Sequence, residues 1–235
     1  MIDLRPAGER GHTDLGWLDS RHTFTFGDYR DERHMGFRTL RVINDDRVRA
    51  GQGFGTHSHR DMEIVSVVLE GALEHRDSLG TGSIIRPGDV QKMTAGTGVS
   101  HSEFNPSPDA PVRFLQIWIV PEKSGLRPEY QQQAFPAEGR RNRLQAIASG
   151  DGRDGSIVLY QDAHIYAGLF DPGRQTTHRL EKGRHAWLHV HGGRIDLGGQ
   201  VMGDGDGAAV TGEEDLVIHA LAGAGPAAFL LFDLA

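Results

Sequence analysis

Short apolar runs alternate with turn-forming groups along the whole chain. Runs at 37–43, 63–69, 83–85, 112–120, 157–159, 186–190, 216–218 and 228–232 are rich in β-branched or aromatic residues. Between them stand Glu70-Gly71, Arg86-Pro87-Gly88-Asp89, Ala95-Gly96-Thr97-Gly98, Gly192-Gly193, Gly198-Gly199 and the glycines of 203–207. Strands of this length, punctuated by glycine, predict an all-β sandwich or barrel. Glycine supplies 32 of the 235 residues, about twice its usual ~7% share, which suits a chain of many turns. No long helical period is present; only 129–133 is expected to form a short helical turn. No apolar run approaches the ~18 residues of a membrane span.

The pattern repeats weakly. The run from Glu63 to Leu73 superimposes on the run from Arg184 to Arg194, each a strand, a glycine turn and the start of another strand, at an offset of 121 residues. Two β-domains are therefore expected: 1–125 and 126–235, with the boundary in the proline-bearing stretch 121–139.

Charge and composition narrow the chemistry. The net charge of −7 argues against general nucleic-acid binding. The start, Met1-Ile2-Asp3-Leu4-Arg5-Pro6, is not an export signal, so a cytoplasmic location is expected. There is no cysteine, against 13 histidines. Disulfides, thiolate metal sites and a cysteine nucleophile are excluded, and any metal must be held by nitrogen and oxygen.

Two segments carry that donor chemistry: Gly55-Thr56-His57-Ser58-His59 and Gly98-Val99-Ser100-His101-Ser102-Glu103. On a strand, residues i and i+2 share a face, so His57 pairs with His59 and His101 with Glu103. If the strands adjoin, three imidazoles and a carboxylate converge. Such a set suits a divalent transition metal and leaves coordination positions open. Glu63, like Asp61, would share the face of His59 on a continuous strand. It is the rival carboxylate, favoured as a hydrogen-bond acceptor for a ligand imidazole.

Other motifs are weaker. His189-Val190-His191 shows how common an isolated His-x-His is, and both are expected to be structural. Gly51-Gln52-Gly53-Phe54-Gly55 leads into a strand, not the helix N-terminus a phosphate loop needs. Asp204-Gly205-Asp206-Gly207 lacks the distal glutamate of a calcium loop. Under the repeat offset His57 falls on His178, but His59 falls on Leu180, Glu63 on Arg184, and the His101 region near Ile218 and His219. The C-terminal domain is expected to lack a metal site.

The two donor segments resemble the paired motifs of cupins: His57-Ser58-His59-Arg60-Asp61-Met62-Glu63, then Gly88-Asp89, Gly96-Thr97-Gly98 and His101-Ser102-Glu103-Phe104-Asn105. Ala95 stands where the second motif usually has proline. The match is closer still to the pirin family, through His22-Thr23-Phe24-Thr25-Phe26-Gly27-Asp28-Tyr29, His34-Met35-Gly36-Phe37, 40–46, 71–78 and 88–93. It is dense over about residues 20–120 and thinner beyond.

The resemblance implies a bicupin, two jelly-roll-like cupin barrels in one chain, with the metal in the N-terminal one. The ligands carried over are His57, His59, His101 and Glu103. The implied ion is iron(II), although zinc, manganese, nickel, cobalt or copper could occupy the same donors. The implied activity is that of a quercetin 2,3-dioxygenase: oxidative ring cleavage of a flavonol by dioxygen, with Glu103 as the first candidate base and Glu63 the second. A cation on Glu103 would make it a poor base unless it detaches. Phe54, Phe114 and Trp118 are candidate walls for a flat substrate. The alternative is a redox-sensing regulatory protein that acts through a protein partner, with flavonol cleavage a side activity. No membrane and no direct nucleic-acid contact are expected.

Overall fold

A computed structural model describes residues 1–223 and 225–235. Among these nearly all of the regular secondary structure is strand, as the alternation predicts. In order these are β1 (Ile2–Arg5), β2 (Gly11–Asp14), β3 (Leu18–His22), β4 (Leu40–Val48), β5 (Gly53–His59), β6 (Glu63–Glu70), β7 (Leu73–Asp77), β8 (Gly82–Ile85), β9 (Asp89–Thr94), β10 (Val99–Phe104), β11 (Val112–Ile119) and β12 (Glu129–Ala134). They continue as β13 (Leu144–Ser149), β14 (Ile157–Val158), β15 (Ala163–Phe170), β16 (Gln175–Arg179), β17 (His185–Gly192), β18 (Arg194–Leu197), β19 (Gln200–Gly203), β20 (Gly207–Val210), β21 (Asp215–Ala220) and β22 (Ala227–Leu234). A single α-helical turn, Ala137–Arg140, precedes β13. No helix among the described residues is long and apolar enough to cross a membrane.

The chain forms two compact units, Gly11–Phe135 and Met1–Arg10 with Pro136–Ala235. The boundary lies beyond the expected 125/126 because residues 129–133 are not helical. Their side chains alternate, and β12 pairs antiparallel with β9, from Glu129 opposite Thr94 to Ala134 opposite Asp89. The first ten residues belong with the second unit because β1 pairs with β20, Ile2 opposite Val210 and Leu4 opposite Ala208. Strand β4 begins three residues later than the run 37–43 suggests. Phe37 and Leu40 close a tight bridge around Arg38, whose φ is +55°.

The two units share one spatial strand order, but differ at an edge, where β14 runs parallel to β13 and β2 antiparallel to β3. The first stacks a seven-stranded sheet, β12-β9-β6-β11-β4-β3-β2, on a four-stranded sheet, β5-β10-β7-β8. The second has β1-β20-β17-β22-β15-β13-β14 and β16-β21-β18-β19. Strand β17 holds the place of β6, as the repeat implied. The sheets are open and packed face to face rather than closed into barrels. In the first unit Leu18, Val48, Val68, Val112 and Phe114 of the large sheet meet Leu73 and Ile85 of the small one. In the second, Leu188, Val190 and Phe229 meet Ile195, Leu197, Leu216 and Ile218.

Ile2 and Leu4 pack half-buried on the core of the second unit. Each should contribute about 1 kcal/mol by removing apolar surface from water. Deleting residues 1–10 is expected to lower the melting temperature of the second unit by several degrees in calorimetry. An unchanged transition would show that β1 is dispensable.

Candidate metal centre

Strands β5 and β10 pair antiparallel with His57 directly opposite His101 and Val99 opposite His59. Alternation puts all three imidazoles on the inner face. A bulge between His101 and Glu103 brings Glu103 opposite Phe54. The strands approach closely here because residue 53 is glycine: a Cβ there would stand 2.3 Å from the Glu103 carbonyl oxygen. The turn before β10 also requires glycine. Gly96 has φ +46°, and a Cβ on it would lie 2.0 Å from the Leu126 carbonyl.

The imidazole rings of His57, His59 and His101 have centroids 4.4 to 4.9 Å apart. One ring nitrogen from each lies within 4.8 Å of the others. Glu103 is not part of that group; it falls within the same distance of His101 and of His75. Its Oε2 accepts a hydrogen bond of 2.8 Å from Gln116 Nε2, and Ser66 Oγ lies 3.5 Å from Oε1.

The neighbouring hydrogen bonds settle which nitrogens are free. His57 Nδ1 donates to the Gly55 carbonyl at 2.8 Å, so its Nε2 keeps the lone pair. His75 Nε2 donates to Asp77 Oδ2 at 2.9 Å, so its Nδ1 is an acceptor. His101 Nδ1 lies 3.4 Å from that acceptor and donates to it. His101 Nε2 is then a lone pair, buried with no hydrogen-bond partner. A buried polar atom without a partner is costly, and a metal ion supplies what it lacks. Burial, then the charges of neighbouring imidazoles, lowers the proton affinity of His101. The same two causes bring His59 to a pKa of about 4. Both are neutral at pH 7, the form a metal requires.

Glu103 titrates in the opposite sense. Burial raises its pKa to about 7, against the lowering effect of its Gln116 and Ser66 hydrogen bonds. Those two partners belong to a polar row that crosses the large sheet at one register. Gln91 is opposite Ser66, Ser66 opposite Gln116, Gln116 opposite Asn44, and Asn44 opposite His22. All five are buried.

A cavity of about 550 Å³ opens over His57, His59 and Glu103. Trp118 stands edge-on to His59 at 5.0 Å and to Phe26 at 5.3 Å; Trp17 and Phe54 meet edge to face at 5.3 Å. Of the three expected wall residues, Phe54 and Trp118 line this cavity. Phe114 is buried in the core between the sheets instead.

Glu63 is placed elsewhere. Strand β5 ends at His59, Asp61 turns with φ +48°, and Glu63 opens β6 in the other sheet. The continuous strand on which its expected role depended is broken. Its Oε2 lies 3.6 Å from the buried ammonium of Lys92. His75 and Asp77 were missed, and the alternation His75-Arg76-Asp77 is the signal that could have found them. Ser66 and Gln116 announce themselves only as polar residues inside apolar runs.

In the second unit the same ladder position is apolar. His178 of β16 faces Leu216 of β21, where His57 faces His101. Leu216, Ile218 and Leu180 are buried in the core. His178 donates from Nε2 to Asp233 at 2.8 Å. His189 is buried in β17. Asp206 accepts from the backbone of Ala7 and Gly203, which makes 203–207 a braced glycine turn.

Two stacked-sheet units of matching strand order, with imidazole donors gathered in one of them, define a bicupin metalloprotein. Comparison with known proteins agrees. Residues 4–119 match the Pirin family model, and residues 146–234 match the quercetinase C-terminal cupin domain. This chain belongs to the pirin family. Quercetin 2,3-dioxygenase of Escherichia coli K12 is 46% identical over 235 residues, covering 100% of this chain and 99% of that one. A putative quercetin 2,3-dioxygenase of Pseudomonas aeruginosa, PA1210, is 42% identical over 222 residues, 94% of this chain and 95% of that one. The crystal structure of the bacterial pirin YhhW from Escherichia coli in complex with nickel(II) superimposes with a TM-score of 0.94 at 45% identity, covering 100% and 99% of the two chains.

Two predictions test the centre. His75→Ala removes the acceptor that orients His101 and is expected to weaken metal affinity about 10–100-fold in a chelator competition. Unchanged affinity would remove His75 from the site. Glu103→Gln probes the buried carboxyl in metal-free protein. Because the folded pKa is raised, Glu103 contributes fully below its unfolded value near 4.5, and that contribution is lost as pH rises through 7. The stability of Glu103→Gln relative to the parent should therefore grow between pH 4.5 and 7 and level off above. A pH-independent difference in urea unfolding would refute the raised pKa.

Proposed function

We propose that His57, His59, His101 and Glu103 hold one divalent transition-metal ion, iron(II) in the native protein, and that this pirin-family dioxygenase opens the central ring of flavonols such as quercetin. The observation that carries the reading is the buried, unpartnered Nε2 of His101, set among imidazole nitrogens at an aromatic-walled cavity. The cavity is of a size that encloses a small aromatic ligand. The names of the relatives supply the substrate class.

The chain's own residues divide the work. His57 and His101 present lone pairs fixed by Gly55 and His75. A divalent ion bound there would act as a Lewis acid and stabilise a deprotonated substrate hydroxyl. Trp118, Phe26, Trp17 and Phe54 hold a flat ring system and exclude water. Glu103, steadied by Gln116 and Ser66, is the group placed to accept the hydroxyl proton at a carboxylate oxygen. That step requires the oxygen to be off the cation, since a bound cation depresses proton affinity.

The test is oxygen uptake with quercetin by anaerobically purified protein of known metal content, beside His57→Ala and His101→Ala. Turnover in proportion to metal is expected, with both variants losing the metal. Stoichiometric metal without turnover would remove the flavonol reading and favour a redox-sensing role through a protein partner. Full metal retention by either variant would overturn the ligand set.

A further inference from the structure

The cavity holds a carboxylate that this reaction does not use. Asp46 lies on β4 two residues past Asn44, hence on the same inner face and about 7 Å further along the strand. It is 4% exposed and lines the cavity with His57, His59 and Glu103. Ser20 hydrogen-bonds to it, yet Oδ1 is buried with no partner. The preceding residue shows how this fold satisfies a buried carboxylate when it is structural. Asp45, on the opposite face, receives two hydrogen bonds from Arg113, of 2.9 and 2.8 Å. Asp46 has no such cation. Burial, and to a lesser extent the charge of Glu103, pushes its pKa to about 7.

We infer that Asp46 is the specificity-determining residue of the substrate cavity: its Oδ1 accepts a hydrogen bond from a phenolic hydroxyl of the flat aromatic ligand, away from the end that faces the histidines. The inference rests on the flavonol reading above and adds which feature of the flavonol is recognised. A buried acceptor without a donor is a standing cost that a hydroxyl-bearing ligand relieves. Among the described residues no lysine or arginine lines the cavity, whereas Asp28, Asp46 and Glu103 do. The lining therefore disfavours carboxylate or phosphate ligands and selects neutral ones that donate hydrogen bonds. The aromatic walls place such a ligand's rings, and Asp46 discriminates by what the rings carry.

The experiment is anaerobic binding of flavonols to metal-loaded protein, followed by tryptophan fluorescence. The probes are quercetin and two analogues that keep the 3-hydroxyl and 4-carbonyl. One lacks the hydroxyls of the pendant ring, the other those of the fused ring. The parent protein is expected to bind one analogue about 10-fold or more weakly than quercetin. In Asp46→Ala that ratio should fall close to one with metal content unchanged. Asp46→Asn, which removes the buried charge at constant volume, should raise the melting temperature of the ligand-free protein while reducing the ratio. A parent that binds all three equally, or a ratio that survives both substitutions, overturns the assignment. So does a lower melting temperature with equal losses for every flavonol, which would mark Asp46 as structural. If no flavonol binds the parent, the flavonol reading falls and this assignment falls with it.

Discussion

An imidazole nitrogen buried without a partner is the constraint from which the metal unit is understood. His101 Nε2 can be left bare because its other nitrogen is committed to His75, and His75 is committed to Asp77. The chain Asp77–His75–His101 fixes both tautomers in turn, with Asp77 and His75 on β7 and His101 on its neighbour β10. An orientation set this way needs no reorganisation when an ion arrives, which is the physical meaning of a prepared site. The rigid ladder between β5 and β10 does the same for His57, whose Nδ1 is committed to its own strand.

The surroundings carry that constraint into a cavity with two kinds of wall. Aromatic rings cover one side, and a polar row crosses the large sheet at a single register. Burying Gln91, Ser66, Gln116, Asn44 and His22 in a sheet interior is unfavourable unless they serve one another or a bound group. Gln116 and Ser66 serve Glu103, and His22 pairs with Asn44 at 2.8 Å. Low dielectric lowers the proton affinity of the imidazoles, which are neutral at pH 7, and raises that of the carboxyls, which titrate close to it.

The second unit shows what the fold does without that chemistry. Its strand order repeats the first position by position, but Leu216 takes the place opposite His178 and the small sheet closes on an apolar core. One architecture thus supports a donor set in one copy and packing in the other, because alternation exposes the same inner positions to either use.

Much of this was legible in the residues themselves. Period-two alternation marked the strands and put His57 with His59 and His101 with Glu103, because side-chain direction along a strand is a local property. The repeat was visible for the same reason. Pairing was not local. The helical turn expected at 129–133 became β12 once β9 offered it a ladder, and residues 1–10 joined the second unit through β20. Glu63 shared a face with the histidines only until the turn at Asp61 sent it to the other sheet. His75, Gln116 and Asp46 come from strands that no sequence spacing connects to the His-x-His segment. The sequence by itself determined the class of fold and the donor atoms, since these follow from periodicity and from the absence of cysteine. Tertiary structure alone decided which nitrogens are bare, which carboxylates face the cavity and which are matched by a cation. Those depend on distances across sheets, and burial sets the protonation of each group only after the strands have met.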